Sequence, residues 1–238
     1  IARKLWIRGF TVFMMNQRGS GLGLGLSDQL WNGGSSDDLD MVLNYIEKIY
    51  PNNFIDIIGF SLSGNVLLKY LGEKKITMGI RKAFAVNPPI DLKRTSYILS
   101  KTKLGSVFND YYMKQIYMQM EAMSECFNAF TPAEKSKTIL EFDEAYTAPV
   151  AGYKNADDYY AMCSSKNFLE DISVPTTILC ATDDPFIEPS IFKSVRMSRS
   201  IELNMPENGG HMGYLSRKTT PWGDNMWMDF IIVDSLEY

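Results

Sequence analysis

The chain has 238 residues, of which 45% are hydrophobic, and a formal net charge of −4. That length suits one domain with an inserted cap, or two small domains, with enough apolar side chains for a sizeable core. No run of Lys and Arg offers the clustered cations a phosphate backbone needs, so nucleic acid is not an expected partner; nor does any apolar stretch reach the roughly 18 residues of a membrane-spanning helix. The chain opens on Ile1 with what reads as the second half of a helix, Ala2 to Arg8, ended by Gly9. It is therefore expected to start inside a domain, with early strands of the sheet, and any targeting or anchoring segment, upstream. Phe10 to Asn16 is a continuous apolar run and is predicted to be a strand buried on both faces.

A Gly-rich loop follows from Arg18 to about Gly34. Ser35 or Ser36 with Asp37 and Asp38 marks a helix start, with carboxylates at the positive end of the helix dipole. Leu39, Val42, Leu43 and Ile46 recur at helical spacing and carry that helix to about Tyr50. After the turn Pro51-Asn52-Asn53, Phe54 to Phe60 reads as a second buried strand. Leu62 to Leu71 reads as a helix stopped by Gly72, and Ala83 to Val86 as a short strand closed by Pro88-Pro89.

From Ile90 to about Ile172 the chain is rich in Tyr, Met, Lys and Glu without period-two alternation, and a mainly helical insertion over the sheet is expected. Alternation then resumes with a strand at Thr176–Ala181, a helix at Ser190–Met197, a strand at Ser200–Met205 and a final helix at Trp222–Leu236. The implied division is residues 1–89 and 173–238 as two parts of one core, with 90–172 as the cap. Strands alternating with helices imply a mainly parallel α/β sheet with right-handed crossovers. Cys126, Cys163 and Cys180 show no CxxC spacing and an odd count, which argues against a disulfide framework or a zinc site. Reduced core thiols are expected, and with them a cytoplasmic setting unless an upstream anchor holds the domain at a membrane. No residue pattern calls for a cofactor or a metal.

The chemistry gathers at three loops. Gly59-Phe60-Ser61-Leu62-Ser63-Gly64 lies between a predicted strand and a predicted helix, which is the setting of a nucleophile elbow. Gly two residues before the Ser and a small residue two after it let strand and helix approach. Ser63 as nucleophile would put Ser61 and Asn65 at the small positions, a poorer fit. Serine needs a base to take its proton, and the one histidine, His211, stands on the Gly-rich loop Asn208-Gly209-Gly210-His211 after the last predicted strand. Most lone histidines are structural, but this one comes last in the order Ser, acid, His that an α/β-hydrolase requires. The acid slot holds Asp183-Asp184-Pro185; an Asp before Pro is also an ordinary turn signal. Asp184 is favoured as the acid and Asp183 is the alternative. The N–H of Leu62 is the expected oxyanion donor. The second donor belongs to a loop after an earlier strand and is expected upstream of Ile1.

Together these segments resemble the YheT-like branch of the α/β-hydrolases, over nearly the whole chain. Asn16-Gln17-Arg18-Gly19, the elbow with Asn65, and Leu68-Lys69-Tyr70-Leu71-Gly72-Glu73 match its core. Glu141-Phe142-Asp143, Gly152-Tyr153, Asp158-Tyr159-Tyr160 and Ser164-Ser165 match its cap-to-sheet segment, and Asp183-Asp184-Pro185-Phe186 with Gly209-Gly210-His211 completes the pattern. Ser63 stands where the family has Gly, and Trp31-Asn32-Gly33-Gly34 replaces a Tyr-His-Ser-Gly-like stretch. The resemblance implies Ser61, Asp184 and His211 as the charge relay of a carboxylic ester hydrolase acting on acyl esters or glycerolipids. A binding protein that kept the fold without turnover, and an acyltransferase using the same three residues, are the competing readings. Tyr159, Tyr160, Met113 and Met118 could line an acyl pocket, although core packing is the more frequent use of such side chains.

Overall fold

The computed structural model describes residues 1–76, 78–127 and 135–237. Four parallel strands, β1 (Ile55–Phe60), β2 (Ile80–Val86), β3 (Thr176–Leu179) and β4 (Ile201–Asn204), lie side by side in that order. Each of the first three is followed by a crossover that returns the chain to the same end of the sheet, as parallel pairing demands. The inner strands show why their sequences are near-continuously apolar. In β2, Ala83 and Ala85 face one core, while Phe84 and Val86 face another. Ile178 and Leu179 divide in the same way in β3. Successive side chains of a strand point to opposite faces, so a sheet covered on both sides has no polar face to spare.

One face is covered by α2 (Ser36–Ile49) through Leu43 and by α3 (Leu62–Glu73) through Leu67, Leu68 and Leu71. The other is covered by α1 (Ala2–Ile7) through Leu5 and, at the far end of the chain, by the helix Trp227–Glu237 through Ile232, Val233 and Leu236. Gly9, just past α1, has φ +90°, the left-handed geometry expected of a residue that ends a helix.

Between β2 and β3 the described residues are mainly helical. They form α4 (Leu92–Lys101), α5 (Lys103–Cys126), α6 (Ile139–Phe142), a π-helical turn (Asp143–Thr147), α7 (Ala148–Val150) and α8 (Ala156–Cys163). Residues 128–134 of the expected insertion lie outside the described residues. Asp91, Thr102 and Asn155 cap α4, α5 and α8 by accepting from Arg94 N–H, Gly105 N–H and Asp158 N–H. Each cap satisfies a donor that the helix itself leaves orphaned. The last two helices are α9 (Pro189–Ser194) and α10 (Trp227–Glu237).

Several expectations are corrected. Phe10–Asn16 is not a strand: Phe10 and Val12 pack beside the α1/α10 core, but Phe13, Met14 and Met15 are exposed and the segment pairs with none of the four strands. An apolar run predicts burial, whereas a strand also needs a ladder partner, which periodicity cannot supply. Gly72 does not stop α3; it lies inside the helix, where a Cβ would fall 2.1 Å from the carbonyl oxygen of Phe168. Its glycine is there for close approach. The final helix begins at Trp227 rather than Trp222, because Thr220 to Asn225 folds into a turn held by Asp224, with Thr220 N–H donating to Asp224 O at 2.6 Å. Cys163 and Cys180 are buried, but Cys126 is exposed, so only two of the thiols are core residues. Among the described residues no helix is long and apolar enough to cross a membrane.

Candidate active site

Ser61 is the hinge between β1 and α3. Its backbone sits at φ 49°, ψ −124°, a conformation that L-residues avoid and that costs on the order of 1–3 kcal/mol. Ser61 N–H donates to Val86 O on the neighbouring strand at 2.8 Å, and Ser61 O accepts from Gly64 N–H at 2.8 Å and Asn65 N–H at 3.2 Å. The turn is therefore pinned from both sides, which is how a strained residue persists. Gly59 makes the pinning possible. A Cβ there would lie 2.7 Å from Ser63 O and 2.9 Å from Gly64 Cα, so strand and helix touch backbone to backbone. Ser63 itself meets no such limit: its hydroxyl is half-buried and 3.4 Å from Gln17 Nε2. Glycine is required at 59, and serine is accommodated at 63.

His211 comes to this turn from the loop after β4. Its Nε2 is 2.9 Å from Ser61 Oγ and its Nδ1 is 2.7 Å from Asp184 Oδ2. The Phe186 ring packs against the imidazole, with centroids 4.2 Å apart. Asp184 has a fully buried side chain. Burial of a carboxylate is costly without donors, and here four groups converge on it. Phe186 N–H and Ile187 N–H donate to Oδ1 at 3.0 Å each, and Asn87 Nδ2 donates to Oδ2 at 2.5 Å beside His211. Asp183 points elsewhere: its Oδ1 accepts from Gly210 N–H at 2.6 Å and so shapes the histidine loop from outside. The structure thus brings Ser61, His211 and Asp184 together, and not Asp183. Leu62 is the first residue of α3, where the backbone N–H has no acceptor within the helix.

Sequence reasoning missed the supports. Asn87, fully buried at φ 44°, also donates to Gly210 O at 3.1 Å and accepts from the Tyr214 hydroxyl at 2.6 Å. Burial raises the Tyr214 hydroxyl well above its ordinary pKa, with nearby Cys180 and Asp184 adding to the effect. It therefore stays a donor to Asn87 while accepting from Ala181 N–H at 2.8 Å. An Asn directly after a strand, before Pro88-Pro89, was the available signal, since Asn tolerates the left-handed region. Asn65 was named only as part of the elbow match, without this role. Its buried amide donates to Gly33 O at 3.0 Å and to Cys163 O at 2.9 Å, and its carbonyl accepts from Ser165 N–H at 2.9 Å.

Beside Ser61 opens a cavity of about 480 Å³, roofed by α4, α5 and the Ile139–Val150 stretch. Leu62, Pro89, Leu92, Leu99, Ile116 and Phe142 give it an apolar wall. Tyr159 and Tyr160 line it and are buried; Met113 belongs to a separate packed cluster, and Met118 is exposed.

The sequence matches the family described as alpha/beta hydrolase fold over residues 1–218. The chain belongs to that family. Among curated relatives of this α/β-hydrolase is a monoacylglycerol lipase of Saccharomyces cerevisiae, 28% identical over 220 residues, which span 88% of this chain and 49% of the lipase. The putative esterase YheT of Escherichia coli is 26% identical over 235 residues, 96% of this chain and 68% of the esterase. A phospholipase of Mus musculus is 26% identical over 223 residues, 87% of this chain and 52% of the enzyme. The chain thus spans about half the length of the lipase and the phospholipase.

Proposed function

We propose that this α/β-hydrolase is a serine carboxylic ester hydrolase, with acyl esters or glycerolipids as its substrate class. The observation that carries the reading is the continuous relay from Ser61 Oγ through the two imidazole nitrogens to Asp184 Oδ2, with steps of 2.9 and 2.7 Å. Ser61 Oγ attacks the ester carbonyl carbon while His211 Nε2 takes the hydroxyl proton. Asp184 fixes the tautomer that presents Nε2 as a base and steadies the imidazolium. Leu62 N–H faces the charge that develops on the carbonyl oxygen. Collapse of the tetrahedral intermediate expels the alcohol, which leaves with the proton from His211. Water then attacks the acyl-Ser61 ester, giving its proton to His211, and the acid departs as Ser61 recovers its hydrogen. The apolar cavity beside Ser61 suits an acyl chain, and the lipase, esterase and phospholipase relatives support an ester of that kind.

The test is covalent labelling by a fluorophosphonate, which reads nucleophile activation without needing a matched substrate. Wild type and Ser63→Ala should label and Ser61→Ala should not. Equal labelling of Ser61→Ala would overturn the mechanism, and loss only in Ser63→Ala would move the nucleophile to residue 63.

A further inference from the structure

Helix α5 gives the cavity beside Ser61 one continuous wall. Tyr112, Gln115, Ile116 and Gln119 line it at positions i, i+3, i+4 and i+7, the spacing of a single helix face. The polar groups on that face differ in what they already hold. The Gln119 amide donates to Gly19 O at 2.7 Å and to Ser20 Oγ at 2.9 Å, so it ties α5 to the Gly-rich loop. Tyr112 is half-buried; among the described residues no hydrogen bond engages its hydroxyl, and that hydroxyl is not sealed from solvent. Its ring meets the Phe186 ring edge-on, with centroids 6.2 Å apart, and Phe186 in turn packs on His211 at 4.2 Å. Tyr112 therefore stands on the histidine side of Ser61. Burial, and after it the Asp184 charge, raise its hydroxyl above the ordinary pKa, so at neutral pH it stays a protonated donor.

Resting on the hydrolase reading, we infer that Tyr112 is a specificity residue whose hydroxyl bonds an uncharged, hydroxyl-bearing alcohol moiety of the ester. The side follows from the proton. His211 gives its proton to the departing alcohol, so the alcohol sits toward the imidazole, where Tyr112 stands. That leaves the apolar wall of Leu92, Leu99 and Phe142 to the acyl chain. The charge follows from the wall. Among the described residues that line the cavity there is no Lys or Arg, and Asp143 contributes a carboxyl. A phosphate head group would lose its water there without gaining a cation. A free hydroxyl needs none, because it can accept from the phenol or donate to it.

Three non-hydrolysable ethers test this by calorimetry on the full chain, independently of turnover. They are hexyl propyl ether, 1-O-hexylglycerol and 1-O-hexylglycerol 3-phosphate. The glycerol ether should bind roughly tenfold more tightly than hexyl propyl ether, the scale of one well-made hydrogen bond, and more tightly than the phosphate. Tyr112→Phe, which keeps the ring against Phe186, should bring the first ratio close to one. A merely structural Tyr112 would shift the affinities together and leave their ratio intact. Four results overturn the assignment: no binding by any of the three, equal affinities for the two uncharged ethers, a ratio that survives Tyr112→Phe, or a phosphate ether that binds as tightly as the glycerol ether. Fluorophosphonate labelling of the same preparation separates the two claims. Labelling without a preference for the glycerol ether removes the role of Tyr112 alone; a preference that depends on Tyr112 without labelling removes the hydrolase reading alone.

Discussion

Asn87 Nδ2 and His211 Nδ1 approach the same oxygen of Asp184, at 2.5 and 2.7 Å. On the proposed mechanism Asn87 is a positioning residue: it holds the carboxylate in the orientation that His211 reads, and it offsets part of the cost of burying it. A hydrogen bond to a buried charge is worth about 1.5–3 kcal/mol.

Replacing Asn87 should accordingly reduce kcat/KM by about 10- to 100-fold. The choice of replacement separates backbone from side chain, because residue 87 has φ 44°. Asn87→Gly tolerates that φ, whereas Asn87→Ala adds about 1 kcal/mol of strain. The two variants should lose the same activity, and Asn87→Ala should have the lower Tm. Unchanged kcat/KM in Asn87→Gly would show that Asp184 is held without it.

The two adjacent aspartates should behave very differently. Asp184→Asn should cut kcat on the order of 10⁴-fold, since the amide favours the wrong imidazole tautomer. Asp183→Asn leaves a side-chain carbonyl to accept from Gly210 N–H and should cost less than about tenfold. Steady-state kinetics on one short-chain ester decides it; a reversed order of severity would reassign the acid.

At the elbow, Gly59→Ala should destabilise the fold by about 1–3 kcal/mol, as forced overpacking does, because the new Cβ meets backbone atoms of residues 63 and 64. Ser63→Gly, by contrast, should shift the urea midpoint little and leave fluorophosphonate labelling within a few-fold of wild type. A large loss in Ser63→Gly would mean that the contact from Gln17 at 3.4 Å matters more than its length suggests.

Burial lifts the Asp143 carboxyl to about 6, although the Thr147 and Tyr160 hydroxyls draw it back. Below about pH 4 the group is protonated in both folded and unfolded chains. Between about pH 4 and 6 the unfolded chain ionises while the folded chain keeps its proton, so this group's contribution to stability falls as pH rises. Above about 6 both forms are charged and the penalty levels off, at a size on the order of 3 kcal/mol. Asp143→Asn has no such titration. Its stability relative to wild type should climb through that window in urea unfolding at stepped pH; a flat difference would place the carboxyl at its ordinary value.

Much of this was legible in the sequence, and the exceptions share a cause. The elbow, the aspartate step and the histidine loop are short motifs whose order and flanking elements are local properties of the chain. The alternation of Ala83, Phe84, Ala85 and Val86 between two cores likewise follows from strand geometry and apolar composition alone. What stayed hidden depends on distant partners. Phe10–Asn16 has the composition of a strand without a ladder partner. Gly72 is explained only by Phe168, 96 positions away, whose carbonyl occupies the space a Cβ would take. Asp184 was favoured over Asp183 in the sequence, but the partners that hold its carboxylate, Asn87 and the N–H groups of Phe186 and Ile187, were not legible there.

Asn65, one helical turn beyond Ser61, has a further consequence. Its amide joins residues separated from it by 32, 98 and 100 positions. One buried side chain therefore ties the Gly-rich loop, the end of α8 and the first turn of α3 into a single junction beside Ser61, so that a change in any of the three segments is felt at the elbow.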